Sequence, residues 1–169
     1  NLQKLLDAIQ WGIDHKVDLI NMSIGSKEFI AADRLIKVSK MVKEMNVIIV
    51  AAGANDGMIT YPACLPYVIG VKVADEALKN EGLHEKPIDG IDIVAYVPKL
   101  NVLKALEQDF GYSLQIANSL LAPIITAEIA CVLLKKEKAL NITDIKKLIA
   151  KEKNIKLISD SCSYPPLNT

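Results

Sequence analysis

Six consecutive apolar residues at positions 47–52, with the sequence VIIVAA, constrain the fold of this chain more than any other segment. The run is followed by the turn-prone residues 53–57 and is rich in β-branched side chains, so it predicts a β-strand. Because no polar residue interrupts the run, both faces of this strand are expected to be buried. Such strands lie in parallel sheets whose two faces are covered by helices.

Helical and strand patterns alternate along the rest of the chain. Apolar spacing predicts helices at 2–13, 26–45, 119 to 135 or 136, and 143–151, with Ser26 and Thr143 as the N-caps of the second and the last. Further strands are predicted at residues 17–22, 67–73 and 91–97. This alternation predicts an α/β fold, a three-layer parallel sheet with helices on both faces, in a single domain over residues 1–169.

Composition excludes several classes of function. The 20 basic and 20 acidic residues balance, so no net charge attracts nucleic acid or an anionic membrane surface. The three cysteines lack the paired spacing of a zinc site, and we expect no metal or other cofactor. The glycine-rich motifs of nucleotide-binding proteins are missing from the sequence. No uninterrupted apolar stretch approaches the ~18 residues of a membrane span, so we expect no membrane-spanning segment.

Small and polar residues follow the predicted strands. Ser23, Ile24 and Gly25 follow the strand at 17–22, and the segment from Gly53 to Asn55 follows the strand at 47–52. Ser119 stands at the start of the long apolar helix. Function collects at the carboxyl ends of the strands in parallel sheets, so we expect these residues to border one cleft.

Four segments of the chain carry motifs in a fixed order: AIQWGIDHKVDLINMSIG at 8–25, VIIVAAGANDG at 47–57, YPACLPYVIGV at 61–71 and ANSLLAP at 117–123. The first is similar to a helix and strand that end in N-M-S-L-G, and the second to V-V-V-A-A-A-G-N-E-G. The third is similar to Y-P-A-x-x-P-x-V-I-x-V, and the last to G-T-S-x-A-x-P. In this order and spacing, over about 130 residues, the segments resemble the subtilisin-like serine proteases, the subtilase family.

The resemblance implies peptide-bond hydrolysis through a serine acyl-enzyme, with a peptide or protein as the substrate. Ser119 matches the nucleophile, and Asn55 matches the side-chain amide that stabilises the oxyanion. The edge that pairs with an extended substrate is matched by Ser23, Ile24 and Gly25, and a wall of the primary specificity pocket by Ala52, Gly53 and Ala54. Without the resemblance, Ser119 is an ordinary helix N-cap and Asn55 a turn residue. The resemblance also implies a cis peptide bond between Tyr61 and Pro62.

The family's nucleophile is activated by a His that an Asp orients, and no residue of this chain matches either. His15 precedes the first predicted strand, and His84 lies in the polar segment 76–90. We therefore expect a partial domain, the C-terminal half of a subtilase catalytic domain, with no peptidase turnover by itself. The missing strands would leave the edge of the strand at 17–22 open, so we expect it to pair with an N-terminal half or in a homodimer.

Four residues depart from the family's motifs. Ala117 and Asn118 replace Gly-Thr, Leu121 replaces a small residue, and Ala54 replaces a Gly. These departures favour an alternative function, a catalytically dead pseudoprotease that binds peptides or a partner. The sequence leaves the compartment undecided, because secretion is a tendency of the family and no signal segment is present in the sequence itself.

Overall fold

The computed structural model describes residues 2–28, 32–74, 90–95, 108–111, 117–135 and 140–151. The main elements in these ranges are α1 (Leu2–Asp14), β1 (Leu19–Met22), α2 (Ala32–Glu44), β2 (Ile48–Ala52), β3 (Ile69–Val73), β4 (Ile93–Ala95), α3 (Asn118–Lys135) and α4 (Ile142–Lys151). Each predicted helix and strand overlaps one of them. β1 begins two residues later than predicted, and residues 96–97 of the last predicted strand lie outside the described residues.

The four strands form one parallel sheet in which the spatial order β1-β2-β3-β4 follows the order along the chain. Leu19 pairs with Ile48, and Val50 pairs with Ile69. Parallel neighbours require a crossover connection, which α2 provides between β1 and β2. The parallel sheet with its helices confirms the predicted α/β fold class.

Alternate residues of β2 face opposite sides of the sheet, and both sides are buried. Ile49 and Ala51 belong to a cluster that includes the apolar faces of α1 and α2. Ile48 and Val50 belong to a second cluster, which includes apolar residues of α3 and α4. The helices thus form an outer layer on each face, which explains why residues 47–52 contain no polar side chain.

Both predicted helix caps are wrong. Ser26 forms an antiparallel bridge with Tyr61 instead of capping α2, because backbone pairing across the fold overrides a local preference. α4 is capped by Asn141 rather than by Thr143, since Asp144 N–H donates to Asn141 Oδ1 at 3.0 Å.

α3 is apolar around its circumference and, by length and composition alone, meets the criterion for a membrane-spanning helix. The expectation that no segment is long and apolar enough was therefore too strong. Leu121, Ala122, Ile125 and Ile129 of this helix pack into the second cluster with residues of the sheet. These contacts place one side of the helix in the core of the domain.

Candidate active site

The carboxyl ends of β1 and β2 and the first turn of α3 border one cleft of about 390 Å³. The cleft is lined by every residue for which the sequence predicts a role: Ser23, Ile24, Gly25, Ala52, Gly53, Ala54, Asn55 and Ser119. Lys27, Asp56 and Thr60 also line the cleft, and sequence reasoning gave them no role there. The predicted residues therefore lie together, while their chemical roles remain predictions.

Backbone hydrogen bonds join two of the loops along the cleft. Ser26 N–H donates to Tyr61 O, and Tyr61 N–H donates to Ser26 O, both at 2.8 Å. Gly25 fits at this junction because it has no side chain: a Cβ would lie 3.0 Å from Tyr61 O and closer still to Thr60 Cγ2. The segment predicted to bind substrate is thus held tightly against residues 60–61. The Tyr61–Pro62 peptide bond is cis, as the resemblance implies.

Lys27 and Asp56 form an ion pair between the same two loops. The hydrogen bond from Lys27 lowers the pKa of the Asp56 carboxyl below its ordinary value of 3.8, and a hydrogen bond from Met58 N–H lowers it further. Both side chains of the pair are about half exposed, at 47% for Lys27 and 51% for Asp56. At neutral pH, this end of the cleft therefore carries two opposite charges and no net charge.

Ser119 lies half-buried in the first turn of α3. Pro123 has no N–H, so the Ser119 carbonyl lacks the hydrogen bond that the fourth residue on normally donates. Ser23 Oγ donates to this carbonyl instead, at 3.1 Å. The predicted nucleophile is therefore linked through its backbone to the segment predicted to bind substrate.

The exposed side chain of Asn55 is oriented by α3. Asn118 N–H donates to Asn55 Oδ1 at 2.9 Å, which identifies the end of the amide that carries the oxygen. Within the described residues, Asn55 Nδ2 donates to no protein acceptor. An amide N–H that lines a cleft and has no protein acceptor is what the stabilisation of an oxyanion requires.

Asn118 is buried, with 4% exposure, and both ends of its side-chain amide are hydrogen-bonded. Its Nδ2 donates to Gly53 O at 3.0 Å and to Ala54 O at 2.9 Å. Its Oδ1 accepts from Val73 N–H at 2.8 Å. These bonds join α3 to the loop after β2 and to the end of β3. Sequence reasoning treated Asn118 only as a departure from a motif, because its partners lie 45 to 65 residues away and leave no local signal.

The other departures from the family's motifs are accommodated by the surrounding structure. Leu121 is fully buried in the second cluster. Ala117 O accepts a hydrogen bond from Leu120 N–H at 2.9 Å, and Ala54 lines the cleft half-buried. At Gly53, a Cβ would point towards Ile91, 3.0 Å away, so the missing side chain permits close packing behind the cleft rather than widening it.

The described residues place no histidine at the cleft. His15 stacks on Trp11 with the ring centroids 3.9 Å apart, and its Nδ1 lies 2.8 Å from Trp11 O. This exposed pair precedes β1, whereas the cleft lies at the carboxyl ends of the strands. His84 lies outside the described residues. Nor does the described part of the chain contain a group of three or more His, Cys, Asp or Glu that could hold a metal ion.

Fold and cleft together define a parallel α/β domain with a serine at the helix-bordered, carboxyl end of its sheet. The model of the subtilase family matches residues 1–164, so the chain belongs to the subtilase family. The predicted family membership is thereby confirmed.

Two curated relatives and one solved structure show the extent of the likeness. The minor extracellular protease Epr of Bacillus subtilis (strain 168) is 37% identical over 86 residues, 48% of this chain and 12% of Epr. The halolysin-like extracellular serine protease Nep of Natrialba magadii is 32% identical over 126 residues, 73% of this chain and 22% of Nep. The prenylagaramide maturation protease PagA matches with a TM-score of 0.56 at 21% identity, over 87% of this chain and 55% of PagA, which shows a shared fold. The chain therefore spans less than a quarter of these curated relatives and about half of the solved structure.

Proposed function

We propose that this chain supplies the nucleophile, the oxyanion donors and the substrate-binding edge of a subtilisin-like serine endopeptidase domain. The observation that carries the proposal is the meeting of Ser119, Asn55 and the segment from Ser23 to Gly25 in one cleft. These residues come from parts of the chain up to 96 residues apart, and the family's motifs match them at each place. Membership in the subtilase family supports the same function.

The proposed reaction is peptide-bond hydrolysis through an acyl-enzyme. Ser119 Oγ attacks the scissile carbonyl while a base accepts its proton, and the carbonyl oxygen becomes negatively charged. Asn55 Nδ2 and Ser119 N–H donate to this oxygen, beside the positive end of the α3 dipole. The proton then passes to the leaving amine, and water hydrolyses the ester. In a subtilisin, removal of one such donor costs about 2.7–4 kcal/mol of transition-state stabilisation.

The proposed substrate is a peptide or protein segment in extended conformation. It pairs with the backbone of the segment from Ser23 to Gly25 as an added β-strand. The Ile24 side chain, 61% exposed, offers an apolar contact beside that backbone. The segment from Ala52 to Ala54 forms the wall against which one substrate side chain packs.

In this proposal the His and the Asp that activate Ser119 come from residues outside the 169 of this chain. A serine hydroxyl is a poor nucleophile without an adjacent base, and His15 lies away from the cleft. The chain is thus proposed as a single partial domain, the C-terminal half of the catalytic domain. By itself it is expected to show no peptidase turnover.

The second candidate function is a pseudoprotease that binds peptides or a partner in the cleft without cutting them. The four departures from the family's motifs favour this alternative, at Ala54, Ala117, Asn118 and Leu121. Binding of a peptide at the edge from Ser23 to Gly25 does not depend on a base.

Labelling with a fluorophosphonate tests both functions. The protein to label is the natural product with whatever residues its gene encodes before Asn1, beside its Ser119→Ala variant and a Ser26→Ala control. Labelling that is lost in Ser119→Ala and retained in Ser26→Ala would support an activated nucleophile. A folded product that is never labelled would refute the endopeptidase. Peptide binding that Gly25→Ala weakens would then favour the pseudoprotease.

We also propose that the outer edge of β1 pairs with another strand, from an N-terminal half or from a second copy. Within the described sheet, β1 pairs only with β2, so its other edge presents unpaired backbone groups. Sedimentation velocity at about 100 μM tests the second copy, since stable pairs at such concentrations need a substantial buried interface. A single sharp monomer boundary for the 169-residue chain would exclude the homodimer.

A further inference from the structure

We infer that Asn118 is a positioning residue of this site: its side chain fixes the Asn55 amide and the Ser119 backbone relative to each other. The positioning is argued from the hydrogen bonds of Asn118. Its consequence for catalysis rests on the proposed function.

The side chain of Asn118 connects three parts of the fold. Two N–H groups on Nδ2 satisfy two carbonyls of the loop after β2, and Oδ1 satisfies the last N–H of β3. Only an amide side chain carries two donors and an acceptor in this planar arrangement. The threonine that the family's motif has at this position carries one hydroxyl hydrogen, so it cannot donate to both carbonyls. The departure from the motif therefore creates contacts rather than merely losing one.

The two carbonyls belong to Gly53 and Ala54, the residues that lead directly into Asn55. Fixing both carbonyls restricts the backbone from which the Asn55 side chain projects. The backbone N–H of Asn118 then donates to Asn55 Oδ1 at 2.9 Å. Asn118 thus restrains Asn55 in two ways: the Asn118 side chain fixes the backbone before Asn55, and the Asn118 backbone N–H binds the Asn55 side chain.

Ser119 is bonded directly to Asn118, so the same residue sets the place of the Ser119 N–H. The two proposed oxyanion donors, Asn55 Nδ2 and Ser119 N–H, are therefore placed by one residue, through its backbone N–H and through the loop carbonyls that its buried side chain holds. Since Asn118 is only 4% exposed, water does not readily replace its hydrogen bonds. The bond from Ser23 Oγ to Ser119 O does not involve Asn55 and holds the helix independently.

Nuclear magnetic resonance of the isotope-labelled 169-residue chain tests the positioning directly. The first readout is the scalar coupling across the hydrogen bond that the Asn118 backbone N–H donates to Asn55 Oδ1. It is measured between the Asn118 backbone nitrogen and Asn55 Cγ. The second is the order parameter of the Asn55 side-chain amide, assigned by its disappearance in Asn55→Ala. Asn118→Ala keeps the backbone N–H but releases the carbonyls of Gly53 and Ala54, so it is expected to weaken the coupling and to lower the order parameter below about 0.6, the range of flexible groups.

Two further variants make the comparison specific. Asn118→Thr retains one side-chain donor, so its coupling is expected to be larger than that of Asn118→Ala. It replaces Asn118→Ala in the test if the alanine variant does not fold. Asn21→Ala is the matched control, because exposed Asn21 lies 3.0 Å from Thr126 Oγ1 of α3 and does not line the cleft. The positioning role would be overturned by an unchanged order parameter of the Asn55 side-chain amide in a folded Asn118→Ala variant. If the alanine variant does not fold, the same result in a folded Asn118→Thr variant would overturn it.

Kinetics of the natural product separates a positioning role from a merely structural one. Activity is expressed per site that the fluorophosphonate titrates. On this basis Asn118→Ala, or Asn118→Thr in its place, is expected to lower kcat about 100-fold with little change in KM. The oxyanion donors act only in the transition state, so their misplacement affects kcat rather than substrate binding. A structural role alone would lower the number of titrated sites and leave kcat per site unchanged.

If the order parameter falls but the unaltered protein is never labelled, the endopeptidase fails and the positioning stands. If the unaltered protein is labelled but the order parameter does not fall, the positioning fails and the endopeptidase stands.

Discussion

Replacing Gly25 by Ala tests how tightly the segment from Ser23 to Gly25, which is proposed to bind substrate, is held against residues 60–61. The new Cβ would lie 3.0 Å from Tyr61 O and closer still to Thr60 Cγ2. Thr60 is 7% exposed, and Tyr61 is held by two backbone hydrogen bonds to Ser26, so neither can withdraw without losing contacts. Overpacking typically costs 1–3 kcal/mol, so we expect the free energy of unfolding to fall by about 2 kcal/mol.

A double-mutant cycle with Thr60→Ser assigns the source of this strain. The substitution removes the methyl group that the new Cβ meets and keeps the hydroxyl, which donates to Met58 O at 3.1 Å. Removing the buried methyl from the otherwise unaltered chain costs about 1 kcal/mol. In the double variant, the shortened side chain at position 60 leaves room for the Cβ. We therefore expect the free energy of unfolding to fall by less than the sum of the two single losses, with a difference of about 1 kcal/mol or more.

The assay is urea unfolding followed by circular dichroism. With a slope of about 2 kcal/mol per molar urea, the midpoint of Gly25→Ala is expected to fall by about 1 M. Strictly additive losses would show that Thr60 is not the obstacle. A midpoint for Gly25→Ala within about 0.2 M of the unaltered chain would refute the close approach itself.

Three further predictions concern single contacts. Ser23→Ala leaves the Ser119 carbonyl without its donor and is expected to lower the free energy of unfolding by about 1 kcal/mol in urea; no loss would mean that another donor replaces the hydroxyl. Lys27→Met removes the main cause of the lowered Asp56 pKa, so that pKa should rise towards 3.8 in an NMR titration, and an unchanged value would show that no ion pair forms in solution. Because the pKa of the folded state is the lower one, the pair stabilises the fold above the pKa of the unfolded state, and this contribution is lost as the pH falls through the lowered pKa. Asn141→Ala removes the cap of α4 and should cost about 1 kcal/mol in the same urea assay, whereas a cost below about 0.3 kcal/mol would contradict the cap.

The fold and the grouping of the site residues follow from local patterns in the sequence. The apolar run at 47–52 predicted a strand buried on both faces, and the structure places its alternate residues in two separate clusters. The cleft residues could be predicted to meet because parallel strands end at one edge of the sheet. That inference needs only the order of the elements, which periodicity reveals.

Contacts between distant segments are what local patterns do not reveal. Ser26 has the local character of a helix cap, yet its backbone pairs with Tyr61 from a loop 35 residues later. Asn118 shows no periodic or capping signal for its bonds to the loop after β2 and to β3. The role of Pro123 was equally hidden, because the missing N–H matters only once Ser23 lies near enough to donate in its place.

The long-range bonds at the cleft also determine when the site can exist during folding. β1, α2 and β2 are close in sequence and pair with short loop closures, but Ser23 must meet Ser119 across 96 residues, and Asn55 must meet Asn118 across 63. Bringing such distant segments together carries the larger entropic cost, so these contacts form after the local ones. A nascent chain that has not yet docked α3 has neither its serine nor its amide in place. The cleft therefore forms only when α3 docks on the sheet, and a chain in which α3 has not docked has no formed site.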